Sequence, residues 1–274
     1  MFGGRWQTRA LVLAITGVAV LATAGAASAK RTIHVNPFVR TGHAAPFSPA
    51  GRSYNDTVES SNWSGYAVQS TGTFTYVTGS WVQPAVSCSS RTDQYAAFWA
   101  GIDGYSSDSV EQLGTDSDCD GVNRPSYYAW YEMYPAGSVD ISTSKYPVKA
   151  GDTLTASVAV SGSTYTLTLG SSEGWNYSVT KTQSGLADSS AELIAESPEL
   201  CSRFSCTLAQ LSDFGTVNYS NVEATSTAIA ESPFGAFTTD NGPHDIIAVT
   251  SNGTQRATPS ALNGTSFSIT WHHD

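Results

Sequence analysis

Three short runs between residues 98 and 135 hold most of the side chains that could do chemistry, namely Phe98–Gly104, Ser109–Gly114 and Tyr128–Pro135. Each run is aromatic or β-branched and is bounded by Gly, Asp, Ser or Pro, which is typical of a strand ended by a turn. Because side chains alternate between the two faces of a strand, certain residues of each run share a face. They are Trp99, Gly101 and Asp103, then Val110 and Gln112, and then Trp130, Glu132 and Tyr134. Aromatics mixed with carboxylates and an amide suit the floor of a substrate groove better than a packed core.

A fourth run, Ala191–Pro198, offers two more carboxylates. Alternation places Glu192, Ile194 and Glu196 on one face of a strand that the proline ends. A solvated edge strand could carry two such acids without any function. The small cysteine-bounded loop that follows would hold the region rigid, which favours a functional interpretation.

Histidine-based and metal-based catalytic motifs are not evident. The sequence has no His-Glu-x-x-His and no glycine-rich phosphate loop. Beyond residue 57 the only histidines are His244, His272 and His273, and the last two lie at the C-terminus, where fraying is usual. Pro243–Asp245 is more typical of a turn than of a catalytic base. Carboxylates and amides are therefore the expected catalytic groups.

The first 29 residues have the three-part pattern of a secretory signal peptide. Arg5 and Arg9 precede an apolar run over residues 10–24, and Ala27-Ser28-Ala29 follows. The apolar run is too short to span a membrane, although an uncleaved anchor is the alternative. We therefore expect a secreted, extracellular product.

Residues 30–57 are basic and proline-containing and have little apolar surface to bury, which is typical of a pro-segment or linker. Their positive charge could cover an acidic cleft at neutral pH and be released in acid, although a passive folding tail is the alternative. The domain itself is expected to cover residues 58–274, a length that suits one all-β domain.

The expected domain is strongly acidic. Residues 58–274 contain seven Lys and Arg against 22 Asp and Glu, a formal charge of −15, whereas the whole chain carries −10. This balance argues against nucleic acid and anionic membranes as partners. Few bases also mean little self-repulsion once the carboxylates are protonated, which indicates tolerance of acid, although an ordinary acidic exported protein would look the same.

Four cysteines remain after the signal peptide, and in an oxidising compartment an even count suggests two disulfides. The close pair Cys201 and Cys206 most simply closes a small loop, which leaves Cys88 to pair with Cys119. The cysteine spacing and the lack of nearby histidines do not support a zinc site, so no metal is expected.

The remaining pattern predicts an all-β fold. Short strand-like runs alternate with turn residues, only 13% of residues are charged, and no stretch shows a long apolar period of 3.6 residues. This combination favours an antiparallel sandwich or barrel. A helical turn is expected only near residues 205–212.

Seven spaced motifs resemble the glutamic peptidases, also called eqolisins, from about Glu59 to the C-terminal strand. The motifs are Asn62-Trp63-Ser64-Gly65, Gly79-Ser80-Trp81-Val82-x-Pro84, Trp99-x-Gly101-Ile102-Asp103-Gly104, Gln112-x-Gly114, Trp130-Tyr131-Glu132-x-Tyr134-Pro135, Gly151-Asp152 and Ala191-Glu192-x-Ile194-x-Glu196. The resemblance implies an acid-acting endopeptidase on a lectin-like sandwich of two antiparallel sheets, with Gln112 and Glu196 as the catalytic residues. It further implies that Trp99, Asp103, Asp116, Trp130, Glu132 and Tyr134 line or support the substrate cleft. The implied enzyme acts on polypeptides as a monomer and needs no cofactor.

The chain departs from the pattern of that family at four positions. Tyr128 stands where an acid is usual, Met133 and Leu193 replace aromatics, and Glu111 replaces an aliphatic residue beside Gln112. These changes bear on substrate preference and pH optimum more than on the catalytic pair.

Two other functions would use the same side chains. A glycoside hydrolase on a similar sandwich could use Glu132 and Glu196 as paired carboxylates. A carbohydrate-binding module could stack sugars on Trp99, Trp130 and Tyr134.

Overall fold

The structure is built almost entirely from β-strands. The computed structural model describes residues 57–89, 91–121, 123–201, 206–238 and 242–274, with only the backbone of Cys201 included. The predicted signal peptide, residues 1–29, and the predicted pro-segment, residues 30–57, lie outside these ranges except for residue 57. Within the described ranges, no helix has the length and apolar character that crossing a bilayer requires.

Eighteen strands and one 3₁₀ turn follow each other along the described chain. The strands are β1 (Val58–Ser60), β2 (Trp63–Gln69), β3 (Phe74–Val82), β4 (Ala97–Ile102), β5 (Val110–Asp120), β6 (Arg124–Tyr134), β7 (Val139–Asp140), β8 (Thr153–Ser161), β9 (Thr164–Ser171), β10 (Asn176–Thr182), β11 (Ser190–Glu196), β12 (Glu199–Cys201), β13 (Cys206–Leu208), β14 (Thr216–Ser226), β15 (Ser232–Pro233), β16 (His244–Val249), β17 (Gln255–Pro259) and β18 (Phe267–Trp271), and the 3₁₀ turn is Phe234–Ala236.

Most of these strands form one hydrogen-bonded path that folds into two layers. The front layer has the order β16-β2-β11-β4-β5-β6-β7, and the back layer has the order β10-β9-β8-β3-β14-β18. Strand β17 pairs with both β16 and β18 and so joins the layers. The pairs are antiparallel, apart from the parallel pairing of β1 with β16. Strands β4 and β5 contact β8 across the interior. This arrangement confirms the predicted antiparallel β-sandwich.

Alternation divides the front layer between two apolar clusters. Phe98, Ala100 and Leu113 face the main core, where they meet back-layer residues such as Leu154 and Leu167. The opposite side of the front layer, here called the outer face, carries a second cluster. It consists of Val58, Trp63, Ala67, Ala97, Trp99, Tyr105, Val110, Tyr128, Trp130, Ile194 and Ile246, with Tyr134 packed against it. Both faces of β4 and β11 are therefore covered, which explains why every residue of these strands is buried.

The predicted disulfide between Cys88 and Cys119 is confirmed. Cys206 is also disulfide-bonded, and its backbone lies opposite Cys201 in the β12–β13 ladder, while the side chain of Cys201 lies outside the described part.

The helical turn expected near residues 205–212 is wrong. Residues 206–208 form β13, because they pair with β12 in a short two-stranded ladder. The 3₁₀ turn occurs instead at Phe234–Ala236.

Candidate active site

Four adjacent strands of the front layer bring most of the predicted site residues onto the outer face. Across β11, β4, β5 and β6, three alternate levels of the ladder, those that point to the outer face, carry them. The levels are Glu196, Ala97, Asp116 and Tyr128, then Ile194, Trp99, Gly114 and Trp130, and then Glu192, Gly101, Gln112 and Glu132. The period of two in each strand therefore collects four carboxylates, an amide and two indoles from separate parts of the sequence.

Glu196 is held by two side-chain donors. The indole Nε1 of Trp99 donates to its Oε2 at 2.8 Å, and the amide Nδ2 of Asn62 donates to its Oε1 at 3.3 Å. The hydroxyl of Ser60 donates to the amide oxygen of Asn62 at 3.0 Å, which orients the amide so that its nitrogen faces Glu196. Because Glu196 is only 2% exposed, these donors act in a medium that screens them poorly and favour the ionised carboxylate.

Gln112 is equally buried, at 1% exposure. Its Nε2 donates to Oε2 of Glu132 at 2.8 Å, which fixes the orientation of the amide. Its Oε1 has no hydrogen-bond partner among the described residues. A buried acceptor of this kind gains free energy from any donor that a ligand brings.

The indole of Trp99 lies between Gln112 and Glu196. Their strands, β5 and β11, are the two neighbours of β4, and the two residues are offset by two levels along it. A Cβ placed on Gly101 would lie 2.9 Å from Cζ3 of Trp99 and 3.1 Å from Cβ of Gln112. The glycine therefore lets the ring lie flat beside Gln112 while the indole nitrogen of that ring bonds to Glu196.

Asp116 supports the aromatic part of the outer face. Its Oδ1 accepts a hydrogen bond from Nε1 of Trp130 at 2.6 Å, and its Oδ2 accepts one from the hydroxyl of Tyr128 at 3.1 Å. The same hydroxyl lies 2.8 Å from Oδ2 of Asp118. Tyr128 thus joins two acids of β5.

Tyr134 lies at the edge of the outer-face cluster and is half-buried. Burial, first, and then the negative charges of Glu132, Glu199 and Asp108 raise its pKa. The hydroxyl therefore keeps its proton and remains able to donate to a ligand.

Asp103 is the predicted site residue that the structure places elsewhere. It lies one residue beyond β4 and has a φ of 71°, so the strand alternation no longer applies to it. Its carboxylate accepts hydrogen bonds from the backbone N–H groups of Asp188, at 2.8 Å, and Ser189, at 2.7 Å. Asp103 thus holds the segment that leads into β11, and its predicted role in the cleft stays a prediction.

Sequence reasoning left three residues of this site out of the predicted set. Asn62 bonds to Glu196, Tyr128 bonds to Asp116, and the ring of Trp63 packs edge-on against Trp99 with centroids 5.0 Å apart. Strand alternation could have identified Tyr128, because it lies two residues before Trp130 and so shares its face. Asn62 precedes its strand, and only the pairing of β2 with β11 brings it to Glu196.

Comparison with known proteins gives consistent matches. Residues 61–271 match the model of the Peptidase A4 family. Aspergillopepsin-2 from Aspergillus niger is 33% identical over 192 residues, which covers 61% of this chain and 65% of that protein. The chain therefore spans about two thirds of the length of this curated relative.

Two solved structures share the fold. The crystal structure of scytalido-glutamic peptidase with a peptide-based transition-state analogue has a TM-score of 0.65 and 24% identity, and the match covers 77% of this chain and 98% of that one. The structure of SCP-B, a member of the Eqolisin family of peptidases, in a complex with the tripeptide Ala-Ile-His has a TM-score of 0.61 and 24% identity, with the same coverage.

Proposed function

The chain belongs to the Peptidase A4 family, and we propose that it is a secreted endopeptidase that hydrolyses peptide bonds in acid through Glu196 and Gln112. The observation that carries the proposal is the pair of donors on Glu196, Trp99 and Asn62, on the same face as an oriented, buried Gln112. The family match favours this function over the two carbohydrate-directed alternatives.

Glu196 is proposed as the general base. An ionised carboxylate can take a proton from a water molecule as that water attacks the peptide carbonyl, and it can later return the proton to the departing amine. The hydrogen bonds from Trp99 and Asn62 support this role, because donors to a carboxylate favour its charged form in acid. An ordinary glutamate has a pKa of about 4.3, so a base of this kind suits mildly acidic conditions.

Gln112 is proposed as the group that stabilises the developing oxyanion. Its amide offers both an N–H donor for that oxygen and an acceptor for the attacking water. Glu132 fixes the amide through Nε2, and Oε1 remains without a partner in the described part of the chain. Because glutamine is neutral, the pair avoids the repulsion of two carboxylates and needs no shared proton.

The decisive experiment measures hydrolysis of an unfolded protein between pH 3 and 5 by the purified enzyme and its variants. We expect Glu196→Gln to lower kcat about 100- to 10,000-fold, since that is the usual contribution of a general base. We expect Gln112→Ala to lower it about 100- to 1,000-fold, as for the loss of an oxyanion donor. Glu173→Gln, on an exposed turn, makes the same chemical change away from the site and is the matched control.

Full activity in folded Glu196→Gln, verified by circular dichroism, would overturn the assignment. Gln112→Glu separates the peptidase from a glycoside hydrolase, because a glycosidase that uses Glu132 and Glu196 does not need the amide.

We propose further that residues 1–29 direct export, that residues 30–57 are a pro-segment, and that 58–274 is the peptidase domain. The confirmed disulfide supports an oxidising destination. N-terminal sequencing of the exported protein, before and after incubation at pH 3 or pH 7, tests this organisation. Loss of the pro-segment is expected at pH 3, and equally fast processing at both pH values would contradict release by acid.

A further inference from the structure

Three acidic residues meet at the end of the front layer, outside the group around Glu196. They are Asp103 after β4, Glu111 in β5, and Asp188 just before β11. One carboxylate oxygen of each lies within 4.8 Å of the others. Asp103 and Glu111 are both inaccessible to solvent, and Asp188 is half-buried.

Two of the three carboxylates have hydrogen-bond donors. Asp103 accepts from the backbone N–H groups of Asp188 and Ser189, from the hydroxyl of Ser189 at 2.9 Å and from that of Ser109 at 3.4 Å. Asp188 accepts from the hydroxyl of Tyr165 at 2.8 Å. Backbone and side-chain donors thus fix the positions of these two residues.

Glu111 differs from the other two, because its carboxylate lies within the group and is fully buried. Neither of its oxygens has a hydrogen-bond partner among the described residues, although the side chain is 0% exposed. A buried carboxylate without a partner costs free energy, and a bound cation removes that cost.

We propose that Asp103, Glu111 and Asp188 bind a calcium ion. Ca²⁺ binds carboxylate oxygens at about 2.3–2.6 Å in flexible geometry, so two of its ligands lie at most about 5 Å apart. The 4.8 Å limit on the three oxygens fits that span. Mg²⁺ fits less well, because it demands shorter distances in a rigid octahedron and gives up its water reluctantly.

The bound ion would tie together the strands that carry the proposed catalytic pair. Glu111 adjoins Gln112 in β5, and the segment at Asp188 leads into β11, which ends at Glu196. Asp188 is far from Asp103 and Glu111 in the sequence, and only strand pairing brings it to them, which is why the spacing of the three gives no metal motif.

Thermal unfolding and terbium luminescence test the proposal without any assay of activity. The purified protein is first treated with EDTA and dialysed to pH 6.5. Ca²⁺ at 100 times its Kd is expected to raise Tm by about 5 °C or more, and Mg²⁺ at the same concentration to raise it less. Tb³⁺, which takes the same oxygen ligands, should show emission sensitised by Tyr165, and Ca²⁺ should displace it.

Two variants and one control locate the ion. Glu111→Gln and Asp188→Asn should each abolish the Tm shift by Ca²⁺ and the sensitised emission, whereas the exposed Glu173→Gln should retain both. Glu111→Gln keeps the shape of the side chain. If Glu111→Gln does not fold, Asp188→Asn gives an independent test. The proposal is overturned if Ca²⁺ leaves the Tm of the parent unchanged, or if the shift persists in either folded variant.

Discussion

At the scale of single residues, the chemistry of the site depends on which atom donates to which carboxylate. Trp99 and Asn62 both donate to Glu196, whereas the amide of Gln112 donates to Glu132. Two glutamates on one sheet face thus have different partners. Glu196 receives donors that would favour a base, and Glu132 anchors the group that would stabilise the oxyanion.

Replacing Trp99 by phenylalanine removes the indole donor to Glu196 and keeps an aromatic ring. A hydrogen bond to a charged group contributes about 1.5–3 kcal/mol, so its loss should move the acid limb of the kcat/KM profile about 1–2 pH units upward. The measurement is kcat/KM of Trp99→Phe between pH 2 and 6. Trp175→Phe, which removes an indole bond to the carbonyl of Pro147, is the control, and an unchanged profile in Trp99→Phe would contradict the role of Glu196 as base.

At the scale of elements, two glycines of the front layer, Gly101 and Gly114, lie where a side chain would meet its neighbours too closely. A Cβ on Gly114 would run into the carbonyl oxygen of Phe98 and lie 2.7 Å from Cβ of Trp99. Phe98 and Trp99 belong to the paired strand β4, so this neighbour cannot move without breaking the ladder. At Gly101 the nearest atoms belong to side chains, the ring of Trp99 and Cβ of Gln112.

The two glycines should therefore respond differently to alanine. Gly114→Ala should lower the free energy of unfolding by about 1–3 kcal/mol, because the added methyl meets backbone. Gly101→Ala should reduce activity more than stability, because it displaces Trp99 and Gln112. Gly170→Ala in β9, whose nearest atoms would be 4.0 Å away, is the control and should leave both stability and activity unchanged.

Equal losses of stability in Gly101→Ala and Gly114→Ala would refute the distinction. Urea unfolding and kcat/KM measure the two effects.

The strands of the front layer show which features a local sequence pattern can predict. Alternation grouped Trp99 with Gly101, Gln112 with Val110, and Trp130 with Glu132, because a period of two holds within a regular strand, and strand pairing then brings these three groups to one face. It failed at Asp103, where the backbone turns to a positive φ just after β4. Strand β14 pairs with β3 through register shifts that a local sequence pattern does not reveal. Long-range pairing, rather than local sequence, decides such features.

At the scale of the whole molecule, charge and burial both favour acid conditions. The formal charge of −15 over residues 58–274 implies repulsion at neutral pH that protonation relieves. Glu192 on β11 also contributes to the pH dependence of stability, because its side chain is 0% exposed. Burial, first, and then the charges of Asp103 and Glu111 raise its pKa well above the ordinary value of 4.5. The folded protein therefore holds a proton that the unfolded chain releases.

We expect the free energy of unfolding to fall as the pH rises above about 4.5. Below that value Glu192 is protonated in both states and its contribution is fully present. Above it only the folded state keeps the proton, so stability is lost by about 1.4 kcal/mol per pH unit until the raised pKa is reached. Urea unfolding between pH 3.5 and 7.5, with EDTA present, measures the slope.

The variant Glu192→Gln separates the contribution of Glu192 to the pH dependence of stability from that of the net charge. The variant cannot ionise, so its stability should fall less steeply with pH than that of the parent, whereas the exposed Glu173→Gln should keep the parental slope. His244 lies on the same ladder level as Glu192, on the far side of Ala67. A protonated His244 could offset the negative charge of Glu192. If such a pairing holds Glu192 ionised in the folded state, Glu192→Gln will not flatten the slope. That result would move the origin of acid stability from this buried carboxyl to the net charge of the surface.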